Sequence, residues 1–361
     1  MPENTRAADS LRSWLLDAAR EGASDLHVIA GYSPILRRHG RLEPLDVPPI
    51  SPADARAALL PLLPHERADR FPAEKNADFA LELDREGHHQ RYRANLFITA
   101  ETLGACFRVI PDEIPDFEWA GFPRDLAERL AHFRNGLVIL CGVTGAGKTT
   151  TLAMIINLLC HHGTHRIITV EEPIEYLFPK TTGSVVTQRE VGRDVRSFAE
   201  GLKYALRQDP DVILVGEIRD RETAQTALSA AETGHLVFAT LHTRDAKGAI
   251  SRYADLFPQD VQNEIRAQLA VGLRAVVSQH LLPSAHEGEK RVLAIEVMFN
   301  NAPIASGIRF GKIESIDNNI QTGRADGMLT LNESVKRHFQ AGRITQDTAE
   351  RFVTDKAYLW R

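Results

Sequence analysis

Four residues at a fixed spacing offer the first chemistry: Gly142, Gly147, Lys148 and Thr149 within "CGVTGAGKTTTLA", residues 141–153. The pattern G-x-x-x-x-G-K-[ST] makes a glycine loop whose backbone N–H groups can surround a phosphate. An apolar run, "LVIL", leads in, and a stretch rich in Leu and Ile leads out, as a strand–loop–helix phosphate site requires. The nucleotide-binding residues are therefore Gly142, Thr144, Gly145, Ala146, Gly147, Lys148, Thr149 and Thr150. The N–H groups of Gly145 to Thr149 would hold the β-phosphate at the positive end of the helix. Lys148 would neutralise the β- and γ-phosphates, and the Thr149 hydroxyl would ligate Mg²⁺. The ligand so implied is ATP with its magnesium ion.

Hydrolysis needs more than phosphate binding. In open α/β sheets, ligands lie beyond the carboxyl ends of the strands. Glu171 and Glu172 follow the apolar run "RIITV", and Glu217, with Arg219 close behind, follows "DVILVG". His242 follows "HLVFAT", and His235 opens that same run. One carboxylate at such an edge can hold Mg²⁺ through water, and another can orient or deprotonate the attacking water. A histidine there can donate to the γ-phosphate and report its loss. His235 suits a packing or capping role almost equally well.

A second charged pattern lies far upstream. In "QRYRANLFI", Arg91, Arg93 and Asn95 fall on one face of a strand, and Tyr92, Leu96 and Ile98 on the other. Two readings stand: a solvated outer face, or arginines that reach a γ-phosphate held by a neighbouring subunit.

The elements that must position these groups divide the 361 residues into distinct regions. Residues 9–21 carry Leu11, Leu15, Leu16 and Ala19 at helical spacing. Short strands separated by glycine turns follow, interrupted by a helix around 52–69, which together predict a small α+β domain over residues 1–112. "PDEIPDFEWAGFP" carries three prolines and reads as a linker over 113–123. From 124 to 285 strands and helices alternate, the signature of a parallel sheet covered by helices. Residues 286–361 read as a strand, "KRVLAIEVMF", followed by helices.

Composition excludes several classes. With 43% hydrophobic and 25% charged residues, the chain has the make-up of an ordinary globular protein. Cys106, Cys141 and Cys160 stand too far apart for a CxxC zinc site or a disulfide framework, so no structural metal is expected. A net charge of −5 brings no basic excess for a nucleic-acid groove. The first 20 residues lack the basic start and apolar block of a secretory signal, and no apolar run reaches membrane-spanning length, so a cytoplasmic protein is expected.

Five stretches carry a resemblance: "GVTGAGKTTTLA", "IITVEEPIEYLF", "QREVGRD", "LRQDPDVILVGEIRDRET" and "AAETGHLVFATLHT". Together they resemble the secretion ATPase superfamily, and within it the PilT-type pilus-retraction ATPases. "ASDLH" and "RYRANLF…FRVIP" extend the likeness into the first domain. The resemblance implies a PAS-like N-terminal domain, a RecA-like core and a homo-hexamer with ATP between neighbours. It implies Glu171 as general base, Glu217 as the Walker B carboxylate and second metal-site residue beside Thr149, and His235 and His242 as the His-box pair. Arg91, Arg93 and Arg108 match the arginines that complete a neighbour's site.

The implied partners are an inner-membrane pilus platform protein and, in some systems, a paralogous retraction ATPase, with the motor peripheral at the cytoplasmic face of that membrane. Pilus retraction is the favoured role. Pilus assembly, type II secretion and a companion subunit acting with a paralogue are the alternatives. Three departures stand out: Glu172 where the family usually has Asp, "ITAETLG" where a turn arginine is usual, and "APIASGIRFGK" in place of the family's "AIRNLIREGK".

Overall fold

Apolar side chains gather into two principal cores, and the chain divides accordingly into units Met1–Glu113 and Ile114–Arg361. The computed structural model describes residues 3–38, 40–85, 88–181 and 183–360.

The first unit is a helix-backed antiparallel sheet. Its opening helix, Glu3–Arg20, buries Leu11, Leu15 and Ala18, spaced to stay on one face. The expected stripe of Leu16 and Ala19 instead lies at the margin, half-buried. Six strands follow: β1 (Asp25–Ile29), β2 (Ile35–Arg38), β3 (Arg41–Pro44), β4 (Asn76–Arg85), β5 (His88–Thr99) and β6 (Thr102–Ile110). They pair in the order β3-β2-β1-β6-β5-β4, every neighbour antiparallel. Period-2 alternation puts Tyr92, Ala94 and Leu96 of β5 into the core beside Phe107 of β6. Ile98, expected with them, is exposed near the strand's end.

The second unit holds a seven-stranded sheet in the order β13-β12-β7-β11-β10-β8-β9. Its strands are β7 (Gly136–Cys141), β8 (Arg166–Glu171), β9 (Val185–Glu190), β10 (Val212–Val215), β11 (Leu236–Leu241), β12 (Leu273–Leu282) and β13 (Val292–Phe299). All pairings are parallel except that of β13 with β12. The fold is α/β, with mixed sheets and helices. β7 and β11 are buried along their whole length, as strands covered on both faces must be, which explains their unbroken apolar runs.

Two strands, β9 and β12, carry no clear signal in the sequence. β12 begins directly where the helix Gln262–Gly272 ends, with no turn residues between, and it contains Ser278, Gln279 and His280. β9 is the polar edge strand "VVTQRE". β13, from the region expected to follow residue 285, is hydrogen-bonded to β12 in the same sheet. Within the proline-rich 113–123 segment, Asp116 caps a short helix, Phe117–Ala120, that Gly121 ends at a φ of 71°.

Candidate active site

Sheet topology gathers the predicted residues at one edge. Because β7, β8, β10 and β11 run parallel and in register, the segments after them leave the sheet side by side.

β7 ends at Cys141 and the glycine loop follows. Gly142 has a φ of 151°, and a Cβ there would lie 2.5 Å from the Gln279 carbonyl oxygen, so only glycine lets the loop pass this close to β12. Gly147, at a φ of 87°, starts the helix Lys148–His162 without any side-chain cap. Helices nearby are capped by Ser197, Asp220 and Asp245, whose side chains accept N–H groups of the first turn. The helix after the loop has no such oxygen, so an anion can supply the missing acceptor. Thr144 and Gly145 are exposed, Ala146 is buried, and Thr149 and Thr150 are half-buried at the helix start.

Lys148 is folded against this loop. Its Nζ donates to the carbonyl oxygens of Gly142 at 2.8 Å and Val143 at 3.3 Å. Burial lowers its pKa, and the nearby carboxylate of Glu217 acts against that shift. Two further contacts brace the helix: Tyr176 and Thr150 share a hydroxyl–hydroxyl bond of 3.0 Å, and Gln279 Nε2 donates to Thr151 Oγ1 at 2.8 Å.

Glu171, the last residue of β8, is only 5% exposed. Its Oε1 accepts from Thr169 Oγ1 at 2.5 Å and from Gln188 Nε2 at 3.2 Å. Gln188 also donates to the Tyr176 carbonyl at 2.7 Å, so β9 links the carboxylate to the segment that reaches Thr150.

Glu217, just past β10, joins the other groups. Its Oε2 lies 2.7 Å from Arg219 Nη2, and its Oε1 lies 3.0 Å from His242 Nε2. Arg219 also reaches Glu172 at 3.1 Å. Burial would push the Glu217 carboxyl up, but the Arg219 bond and the His242 charge outweigh it, and its pKa falls. The Glu217 bond in turn raises Arg219. A half-buried anion held between a guanidinium and an imidazole, beside the loop lysine, is an ionised group fit to organise a metal or water.

His235 does not join this edge. It precedes β11, whose first residue Leu236 is registered with Gly136, whereas Leu241 is registered with Cys141. At about 3.3 Å per residue, roughly 20 Å of strand separates His235 from His242. His235 Nδ1 instead lies 3.0 Å from the Ala230 carbonyl, near the end of the helix Arg221–Glu232. In this chain it closes a helix, the capping role that the sequence left open beside the His-box one.

The arginines of the first unit do share a face. Arg93 is registered opposite Arg108, and Arg108 opposite Asp25. Arg108 Nε is 3.1 Å from Asp25 Oδ1, and Arg93 Nε is 3.8 Å from Asp78 Oδ1. Arg91, two positions before Arg93, pairs across strands with Glu82 and Ile110. Side chains of Arg93 and Arg108 are both more than two-fifths exposed.

Sequence reasoning missed Gln188 and Gln279, since β9 and β12 carry no strong strand signal, and Tyr176, which lies in the segment between β8 and β9. Among the described residues no group of three His, Cys, Asp or Glu side chains is arranged to hold a metal by itself, and no helix is long and apolar enough to cross a membrane.

An uncapped glycine loop, its folded-back lysine and two carboxylates at adjoining strand ends define a P-loop ATPase. Comparison with known proteins then narrows the class. Residues 5–341 match the family described as Type II/IV secretion system protein, and the chain belongs to that family. It is 38% identical over 332 residues to the type IV pilus retraction ATPase PilT of Pseudomonas aeruginosa, covering 92% of this chain and 94% of that one. It is 36% identical over 344 residues to the twitching motility protein of Neisseria gonorrhoeae, covering 95% and 90%. The solved structure of the pilus retraction motor PilT with bound ADP superposes with a TM-score of 0.83 at 39% identity, over 95% of this chain and 97% of that one.

Proposed function

We propose that this chain is one subunit of a homo-hexameric, ATP-hydrolysing motor that powers type IV pilus retraction. On this reading residues 124–285 form a RecA-like ATPase core, residues 1–112 a PAS-like domain, and residues 286–361 a C-terminal strand and helical region. The motor works at the cytoplasmic face of the inner membrane, on the pilus platform protein there. The observation that carries the catalytic part is the bridging of Glu217 by Arg219 and His242 next to the lysine of an uncapped phosphate loop.

The donor set fits Mg²⁺–ATP. The loop amides and Lys148 take the phosphate charge, while the Thr149 hydroxyl and the Glu217 carboxylate take the metal. When bound, the ion would draw charge from the terminal phosphates. Lys148 already holds its ammonium at the loop, so binding replaces carbonyl partners with phosphate oxygens. Glu171 is the general base: it ends β8 at the edge where the phosphate loop lies, and Thr169 and Gln188 hold its Oε1 in place. His242 meets the γ-phosphate and passes its state to Glu217 through their shared bond.

Arg91, Arg93 and Arg108 complete the site from the neighbouring subunit. A guanidinium brought to the transferring phosphoryl group typically accelerates turnover by about 10³ or more. An arginine carried on a separate domain would also tie hydrolysis to domain rotation. The test mixes two inactive variants, Lys148→Ala and Arg93→Ala, under conditions of subunit exchange. Mixed rings contain some sites with both groups intact, so activity partly returns. Absence of recovery, with exchange confirmed, removes Arg93 from the neighbour's site. Direction of force is read separately: a deletion strain with long, static pili has lost retraction, and one without pili has lost assembly.

A further inference from the structure

A row of buried polar side chains crosses three strands beneath the segment that follows His242. Ser278 of β12 is registered with Cys141 of β7 on one side and with Glu296 of β13 on the other. Registered residues share a face of the sheet. All three grip consecutive residues of one loop. Ser278 Oγ donates to the Arg244 carbonyl at 2.7 Å, Cys141 Sγ to the Asp245 carbonyl at 3.5 Å, and Glu296 Oε1 accepts the Ala246 N–H at 2.8 Å. His280 Nε2, two residues along β12, lies 2.8 Å from the same Arg244 carbonyl. Four side chains therefore fix the three residues that begin two positions after His242.

Glu296 does more than close the row. It is 8% exposed, and a buried carboxylate needs donors to be tolerated. Its donors are the first amides of two helices. Ala246 opens the helix Ala246–Asp255, and Leu331, whose backbone N–H Glu296 also accepts, opens the helix Leu331–Gln340. Each helix has its own cap for the third amide: Asp245 accepts from Gly248, and Thr330 from Glu333. Glu296 thus satisfies the first-position donors that those caps leave. Beside it, Val297 bridges Leu329, which sets the approach of the second helix.

We propose that Glu296 is a positioning residue that holds the His242 loop and the C-terminal helix Leu331–Gln340 on a single carboxylate, so that the two keep one fixed relation. This rests on the reading that His242 meets the γ-phosphate. The consequence is that the C-terminal helix Leu331–Gln340 is tied to the segment after His242 through one side chain.

Glu296→Gln tests the link in the full-length protein at pH 8, where the carboxylate is ionised, because it keeps the shape and leaves one acceptor oxygen where two stood. Hydrogen exchange should rise by about tenfold or more in both 243–247 and 329–334, while β7, β10 and β11 stay protected. The kcat for ATP should fall about tenfold, with ADP affinity within about twofold, since misplacement acts on turnover rather than on phosphate anchoring. Loosening of only one segment, or an unchanged kcat, overturns the proposal. Glu296→Ala removes both acceptors and should exceed the Gln variant in each readout; a smaller effect than Gln overturns it too. His242→Ala, assayed in parallel, separates the two levels. If it turns over ATP like the wild type while both segments loosen in Glu296→Gln, the site reading has failed and takes the positioning role with it.

Discussion

Glu296 also gives the fold a pH dependence of definite sign. Burial pushes its carboxyl up to about 7 from an ordinary 4.5, the Ala246 N–H opposes that shift, Asp245 and Asp317 add to it, and the Leu331 N–H opposes it again. The other charges around it are committed elsewhere. Lys247 sits 3.0 Å from both Glu314 and Asp317, Glu333 is bonded to Arg337, and burial lowers the pKa of His280. An acid whose pKa rises on folding stabilises the fold below its unfolded value, and that contribution is lost as pH climbs through the folded value. From pH 5.5 to pH 8 the unfolded chain holds Glu296 ionised throughout, while the folded chain must give up its proton near 7. A slope of about 1.36 kcal/mol per pH unit over roughly 1.5 units makes the loss about 2 kcal/mol. Glu296→Gln carries no such proton, so urea unfolding of both proteins at half-unit steps isolates the effect. The wild type should lose about 2 kcal/mol relative to the variant across that window, since every other titrating group is common to both. Parallel profiles would mean that Glu296 is ionised in the folded state at pH 5.5, and the burial argument would be wrong.

Lys148→Ala should abolish nucleotide binding in a fluorescent-ADP titration, because the phosphate loses its main cation; retained affinity would show that the loop amides suffice. Glu171→Gln and Glu217→Gln should keep ATP bound while turnover falls by about 10² or more, as groups acting on water and metal do. Near wild-type hydrolysis by either variant removes that residue from its role. His235→Ala should lower kcat less than threefold, in keeping with its helix-closing bond to Ala230; a loss matching that of His242→Ala would place it at a phosphate after all.

What could be read from sequence depended on how locally each group is positioned. The phosphate loop is eight consecutive residues whose backbone does the binding, so its motif and its geometry are the same information. Glu171, Glu217 and His242 required one further inference, that parallel strands end at a common edge, and their apolar strands made that inference available. Gln188 and Gln279 were out of reach because they act across strand pairs. Their partners lie 17 and 128 residues away, on strands whose sequences look like an edge loop and a continued helix.

His235 and His242 show the limit most sharply. They belong to one stretch, "GHLVFATLH", and only seven positions separate them. A helix would have stacked them within two turns, on nearby faces. A strand buried on both sides does the opposite, carrying the first to the edge where chains enter the sheet and the second to the edge where ligands bind. Both histidines therefore have a structural reason to be where they are, but not the same one. His235 closes the helix before β11, while His242 bonds the carboxylate beside the phosphate loop. The loop after His242 is then held by the row from Cys141 to Glu296, so His242 is fixed from two sides. Glu217 bonds its imidazole on one side, and on the other the row beneath its loop ties the following residues to the C-terminal helix.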